Sequence, residues 1–329
     1  MFSGEEKAAS LEEKTRVSRL DEFTYAAELS EAFCVGIVPN GGYVASIFLR
    51  AARQHAALLG QPDAIAVHWQ FLAKTRAGRA VLRIDEVRRS KAMSVLHVSL
   101  FQGKLQQQAP WVSGSSEACV VAYITCRDIA LESGLSLPTN WSPSPAPPPA
   151  DLANLPRKLA GDKWRPFWAR VMDFVTPLRS LEFYYPADAH ALDPHQHLDF
   201  WVRLSQPNAR FCETDLGFLA DAAAPLLIES YRPGKENETP APYFPRHKAF
   251  WYPTVTMSLD VKKKLPPDGA EWLRLHTAAK VIRNGRLDSE VIVFDSEGDV
   301  VALSHHVAMI VDVERNFASQ QGEKSKSNL

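Results

Sequence analysis

VPNGGYVASIFLRAARQH, residues 38–55, opens on turn chemistry and runs into a helix. Pro39 fixes φ, and Asn40, Gly41 and Gly42 tolerate positive φ. Between Tyr43 and Leu49 only Ser46 is polar. Arg50 and Arg53 follow in the last turns, where cations suit the negative end of the helix dipole, and Gly60 is a natural stop. A helix apolar on nearly every side must be wrapped by other structure. The wrapping is read downstream. Residues 64–72 (AIAVHWQFL), 80–87 (AVLRIDEV), 94–101 (SVLHVSLF) and 119–126 (CVVAYITC) carry the β-branched, aromatic and alternating apolar positions of strands. Residues 23–33 predict one more strand, 104–117 a loop, and 1–17 a mobile lead-in. One helix followed by a strand meander is an α+β layout.

The chain has 329 residues, 46% hydrophobic and 23% charged, with formal net charge −1. That is an ordinary globular profile, and near-neutral charge argues against nucleic acid as the main partner. Cys34, Cys119, Cys126 and Cys212 form no Cys-x-x-Cys pair, which fits a reducing compartment without a zinc site. The first residues are polar and charged, unlike a secretory signal, and no apolar run reaches the length of a membrane span.

From Pro138 to Pro149, six of twelve residues are proline, the composition of a stiff connector. Beyond it the pattern recurs. Strands are expected over 169–174 and 198–204. Residues 213–231 (ETDLGFLADAAAPLLIESY) read as a second helix, capped by Thr214 or Asp215 and bent or ended by Pro225. Strands follow over 254–262, 272–281, 287–295 and 300–310, with tight turns at Asn284-Gly285 and Glu297-Gly298. VLRIDEV from Val81 aligns with WLRLHTA from Trp272, and Gly42–Ser46 with Gly217–Asp221; the loop 234–250 absorbs the difference in spacing. The helix-plus-meander unit is duplicated. The divisions are 18–137, a linker 138–165, 166–313, and a polar tail 314–329.

VPNGGYVASIFLRAA, HWQFLAKTRAGRAVLRIDEVRRS, LDFWVRLS, WYPTVTMSLDVKKKL and EWLRLHTAAKVIRNGRLDSEVIVFDSEGDVVALSHH, in this order, resemble the acyl-CoA thioesterase II-like proteins. The resemblance spans residues 20–312. It implies a double hot-dog: two antiparallel sheets, each curled round a central helix and joined into a pseudo-dimer, with the helices side by side.

Asp221 is the only charge between Leu216 and Ile228. A carboxylate inside an apolar helix must be paired or have a raised pKa, as a general base needs; an Asp facing solvent is the plainer alternative. The resemblance implies that Asp221 is the catalytic aspartate, assisted by a Thr or Ser on the next strand and a Gln on the last. Thr256 matches the first, with Ser258 beside it because the register is open by two residues. His306, next to His305, stands where Gln is expected, and it can titrate as Gln cannot. A core histidine is the alternative. Ser46 occupies the first copy's aspartate position, so that copy is expected to be silent and to shape the pocket.

Amides at Gly41-Gly42 or Leu216-Gly217 are expected to hold an oxyanion, and Tyr43 to line the acyl path along the helices. Lys262, with Lys263, Lys264, Lys280, Arg283 and Arg286, is a candidate for CoA phosphates, although charge runs are usually solvated faces. The sequence has no Gly-x-Ser-x-Gly elbow, no metal motif and no His in either helix start for a hydratase; no cofactor is implied. Two functions follow: hydrolysis of an acyl-CoA or carrier-bound thioester, or binding or tailoring of acyl or polyketide-like chains without hydrolysis. The expected partners are that thioester, no nucleic acid, and a possible homo-oligomer. Cytosol is the expected location, with the peroxisome as alternative because Ser327-Asn328-Leu329 resembles Ser-Lys-Leu.

Overall fold

In a computed structural model, which describes residues 10–157, 163–187, 197–232 and 248–317, the chain builds one antiparallel sheet of 14 strands around a pair of helices. Helix α1 (Leu11–Lys14) is capped by Ser10 and leads into β1 (Val17–Arg19). Leu11 and Thr15 are buried, so the expected lead-in is ordered from residue 10 because its apolar face joins the core. Strand β2 (Thr24–Leu29) is followed by a 3-10 turn and the hairpin β3 (Cys34–Val35) and β4 (Val38–Pro39). Helix α2 (Gly41–Ala57) starts two residues before Tyr43, because the Asn40 side chain accepts from the Tyr43 amide at 2.9 Å and caps it. Then come β5 (Asp63–Phe71), β6 (Gly78–Arg89), β7 (Ser94–Phe101) and β8 (Val120–Arg127).

The second half begins with β9 (Trp164–Phe167), α3 (Val171–Phe174), β10 (Leu181–Pro186) and β11 (His197–Leu204). The strand expected over 169–174 is thus largely a helix. Met172, Val175 and Leu178 are buried at helical spacing, and the strands lie to either side. Helices α4 (Leu216–Ala222) and α5 (Ala224–Glu229) are separated at Ala223, with Pro225 in the first turn of α5. The remaining elements are β12 (Phe250–Trp251), β13 (Thr254–Val261), β14 (Leu273–Ala278), β15 (Ile282–Arg283), β16 (Arg286–Phe294), β17 (Val300–Met309), β18 (Val311–Asp312) and α6 (Glu314–Phe317). Asn284 and Gly285, at φ +53° and +72°, make the β15–β16 turn.

The strand order β1-β2-β6-β7-β8-β5-β13-β17-β16-β14-β11-β10-β9 runs through both halves, which join where β5 pairs with β13. From that joint outward the halves repeat one another, as the duplicated sequence predicts. The helices α2 and α4 meet inside the curl. A Cβ on Gly42 would lie 2.6 Å from Asp221 Cβ and 2.8 Å from the Gly217 carbonyl oxygen. One on Gly217 would lie 2.9 Å from the Ser46 nitrogen. These contacts are mates across the pseudo-two-fold. Arg50 and Arg53, read as helix-end cations, also reach the other half, pairing with Asp215 at 3.2 Å and Glu213 at 2.9 Å.

The proline-rich segment packs on the second half. Trp141 stacks parallel to Phe294, Trp164 donates to the Pro148 carbonyl, and Leu155 is buried among Trp164, Tyr184, Trp201 and Trp272. The expected tail starts later than residue 314. Asn316 is fully buried: its Oδ1 accepts from the Ile37 amide at 3.2 Å and its Nδ2 donates to the Val35 carbonyl at 2.9 Å. Gly36, at φ +61°, leaves room for it, since a Cβ there would come within 2.6 Å of Asn316 Oδ1. The stretches 188–196 and 234–247 and the terminal tripeptide 327–329 lie outside the described residues.

Candidate active site

Asp221 sits on the last turn of α4, where the first turn of α2 presses against it, and is buried. Its Oδ2 accepts from Asn40 Nδ2 at 2.8 Å and from the Gly42 amide at 2.9 Å. Its Oδ1 accepts from Thr254 Oγ1 at 3.0 Å and lies 3.6 Å from Nδ1 of His306. The carboxylate therefore belongs to α4 while two of its donors belong to the other half. The site exists only because the halves are paired.

Thr254, not Thr256 or Ser258, is the hydroxyl at Asp221. On β13, Met257, Leu259 and Val261 face the core, so Thr256 and Ser258 face outward; Ser258 bonds His68 Nδ1 at 2.9 Å. A β-bulge between Thr254 and Thr256 adds one residue against β17 and reverses the alternation, turning Thr254 inward.

His306 is on the inner face of β17 and fully buried. Its Nε2 is 2.9 Å from Ser304 Oγ, which donates to the Ser258 carbonyl at 2.7 Å. Burial lowers its pKa below the usual 6.5; Asp221 opposes this and His305 adds to it.

A cavity of about 250 Å³ opens against Asp221 and Thr254, lined by both halves. Its apolar wall includes Val35, Val44, Phe71, Pro225, Ile228 and Leu287. Trp251 and Tyr252 close one side, and Lys74 Nζ lies 5.0 Å above the Trp251 ring.

The other expected site residues divide. Gly41 lines the cavity and Gly42 bonds Asp221. Tyr43 is buried away from it: the hydroxyl donates to the Lys14 carbonyl at 2.6 Å and accepts from the Ser30 amide at 3.0 Å, and burial pushes its pKa up to about 12. Ser46 accepts from the Phe218 amide at 3.0 Å, so Ser46, Leu216 and Gly217 serve the helix contact and do not line the cavity. Lys262 lies eight residues along the chain from Thr254, about 26 Å at strand rise, and pairs with Asp260 at 3.5 Å. Lys264 pairs with Asp63, and Lys263 sits among Asp295, Glu297 and Asp299, the one acidic group among the described residues close enough to hold a metal.

Asn40, Thr254 and Ser304 escaped the sequence reading. Asn40 carried the signal of a helix cap before Gly-Gly, but its second role depends on the opposite half. The bulge that selects Thr254 leaves no mark in local alternation.

Comparison with known proteins bears on both halves. The family model for the acyl-CoA thioesterase N-terminal domain matches residues 29–127, and that for the acyl-CoA thioesterase C-terminal domain residues 147–310. The thioesterase-like protein TwmA of Talaromyces wortmannii is 36% identical, with 100% of each chain covered. A hot-dog-fold protein of Alicyclobacillus acidocaldarius superposes with TM-score 0.66 at 18% identity, covering 92% of this chain and 98% of that one. The acyl-CoA thioesterase II TesB2 of Mycobacterium marinum does so with TM-score 0.60 at 17% identity over the same shares.

Proposed function

The chain belongs to the acyl-CoA thioesterase family, and on that premise we propose that it hydrolyses an acyl-CoA or carrier-bound acyl thioester. The observation that carries this reading is the buried Asp221, ringed by Asn40, Gly42, Thr254 and His306 at the wall of an apolar cavity. A water activated by Asp221, Thr254 and His306 attacks the thioester carbonyl. Of the amides opening α2, that of Gly42 goes to Asp221, and those of Tyr43 and Val44 go to Asn40. The Gly41 amide remains to hold the oxyanion, and such preorganised donors are often the largest electrostatic contribution. The acyl chain lies in the cavity between the halves.

Single-turnover assays against a panel of acyl-CoAs test this. Released thiol is the expected result; tight binding without release would replace hydrolysis by a non-hydrolytic acyl-binding or tailoring role. We place the protein in the cytosol, with the peroxisome as alternative. No helix among the described residues is long and apolar enough to cross a membrane. Imaging a fusion with a free C-terminus, with and without residues 327–329, separates the compartments. A homo-oligomer through the edge strands β1 and β9 completes the proposal.

A further inference from the structure

Building on the hydrolase reading, we propose that the proton leaving the attacking water goes to Nδ1 of His306, and that Ser304 is the positioning residue that keeps this nitrogen free to take it. The sequence alone gives that proton to Asp221. Hydrogen bookkeeping around the ring gives it to His306.

Ser304 has one hydroxyl proton, and the Ser258 carbonyl at 2.7 Å can only accept it. At 2.9 Å from His306 Nε2, Ser304 Oγ is therefore the acceptor, and Nε2 carries the ring hydrogen. Nδ1 of the neutral ring is then a bare lone pair. It is buried without a hydrogen-bond partner. Asp221 Oδ1, at 3.6 Å, is beyond a direct hydrogen bond and is itself an acceptor. Oδ2 already takes two donors and Oδ1 takes Thr254, which leaves one open direction on Oδ1.

Two acceptors facing each other at that separation call for a small molecule with two donors, and water is that molecule. Giving one O–H to each, it turns its lone pairs outward, as attack on a carbonyl carbon requires. As the new C–O bond forms, the O–H bond to Nδ1 breaks, its electrons stay on the water oxygen, and an imidazolium forms beside the charged Asp221. The carbonyl π electrons move to the oxygen. Collapse restores C=O and breaks the C–S bond, and the leaving thiolate takes the Nδ1 proton. Acid and thiol depart with the ring neutral again. Asp221 keeps its charge throughout and faces the imidazolium as it forms, which favours this recipient.

Among the described residues, Asp221 of α4 is the charged group that faces the ring. Strand β13 offers Met257 and Thr254, β16 offers Ser289, and His305 on the same strand points to the opposite, exposed face.

Imidazole nitrogen NMR on the full chain tests the assignment, with kcat measured beside it. The parent should show a protonated Nε2 and a bare Nδ1 at neutral pH. Ser304→Ala removes the acceptor at Nε2 and should move the hydrogen to Nδ1, on the side of the Asp221 charge, and lower kcat about 10²-fold with KM unchanged, the low end of general-base assistance. Ser304→Thr, which keeps the hydroxyl, should stay near the parent. His306→Gln holds a water but takes no proton; it should lose about 10²-fold in kcat together with the acid limb of the pH profile. This variant and the parent spectrum decide if Ser304→Ala does not fold. A parent spectrum with Nδ1–H, or parent-like kcat and an intact acid limb in His306→Gln, overturns the proton assignment and leaves the hydrolase reading standing. A parent that releases no thiol from any acyl-CoA overturns that reading, and the assignment falls with it.

Discussion

Gly42→Ala and Gly217→Ala are mates across the pseudo-two-fold, and their consequences should differ. At Gly42 the added methyl meets Asp221 Cβ at 2.6 Å, against an ordinary contact of 3.4 Å or more, so something must move by about 0.8 Å. The other close atoms are the Gly217 carbonyl and Phe218 Cα, both backbone, so no flexible side chain can swing away. Overpacking of this kind costs about 1–3 kcal/mol. Better helix propensity returns about 1 kcal/mol, leaving a net loss of up to about 2 kcal/mol. The moved residue is Asp221 itself, and a misplacement near 1 Å can cost about 10²-fold in turnover. At Gly217 the methyl meets the Ser46 nitrogen at 2.9 Å and Ala45 carbon at 3.0 Å, so the stability loss is comparable or smaller. Ser46 performs no chemistry in the proposed reaction, and kcat should fall only a few-fold. Urea unfolding and thiol release on both variants make the comparison. Equal losses of kcat at equal losses of stability would refute the reasoning, because helix spacing alone would then account for both. A Gly42→Ala enzyme with the parent's kcat would remove Asp221 from the mechanism altogether.

Asp221→Asn keeps the shape but discards the charge, and should lower kcat about 10²–10⁴-fold while substrate binding in equilibrium titration stays near the parent's. Thr254→Val removes a donor to a charged group, worth about 1.5–3 kcal/mol, and should lower kcat about 10–10²-fold. Thr256→Val should stay within about two-fold of the parent, judged against the size of that effect; reversed results would make Thr256, and not Thr254, the hydroxyl that acts with Asp221. Stability should depend on His306. Its folded pKa lies below the unfolded 6.5, so the unfolded chain binds the extra proton first. Stability is full above 6.5 and falls as pH drops through 6.5 toward the lower folded value. His306→Gln should flatten part of that slope in urea titrations at stepped pH, leaving the share of His197, whose pKa burial also lowers.

The architecture was legible because it rests on periodicity and repetition. The apolar run from Tyr43 to Leu49 demanded a wrapping sheet, and two copies of the unit demanded pairing. Pro225 marked the helix break correctly, since a missing N–H and a fixed φ act locally. What could not be read depends on contacts across the two-fold or on a single inserted residue. Asp221 stood out as a lone charge, but its partners Asn40 and Gly42 lie in the other half. Strict alternation along β13 would keep one face under a slip of two; the bulge breaks the alternation and selects Thr254. Residues 169–174 read as a strand yet hold a helix over Val171–Phe174, because a short apolar run does not distinguish a strand from a buried helical turn.

The bonds from Asn316 to Val35 and Ile37 also bear on the order in which the molecule is finished. A ribosome delivers the N-terminal part first, and domains generally fold as they emerge. The β3–β4 hairpin, which carries Val35 and Val38 on the cavity wall, is held by Thr176 through the Cys34 carbonyl, and gains its Asn316 bonds after residue 316 has been made. A nascent chain can thus have both helices and most of its strands while that wall still lacks its clasp. The cavity wall gains its last fastening only once residue 316 has been made.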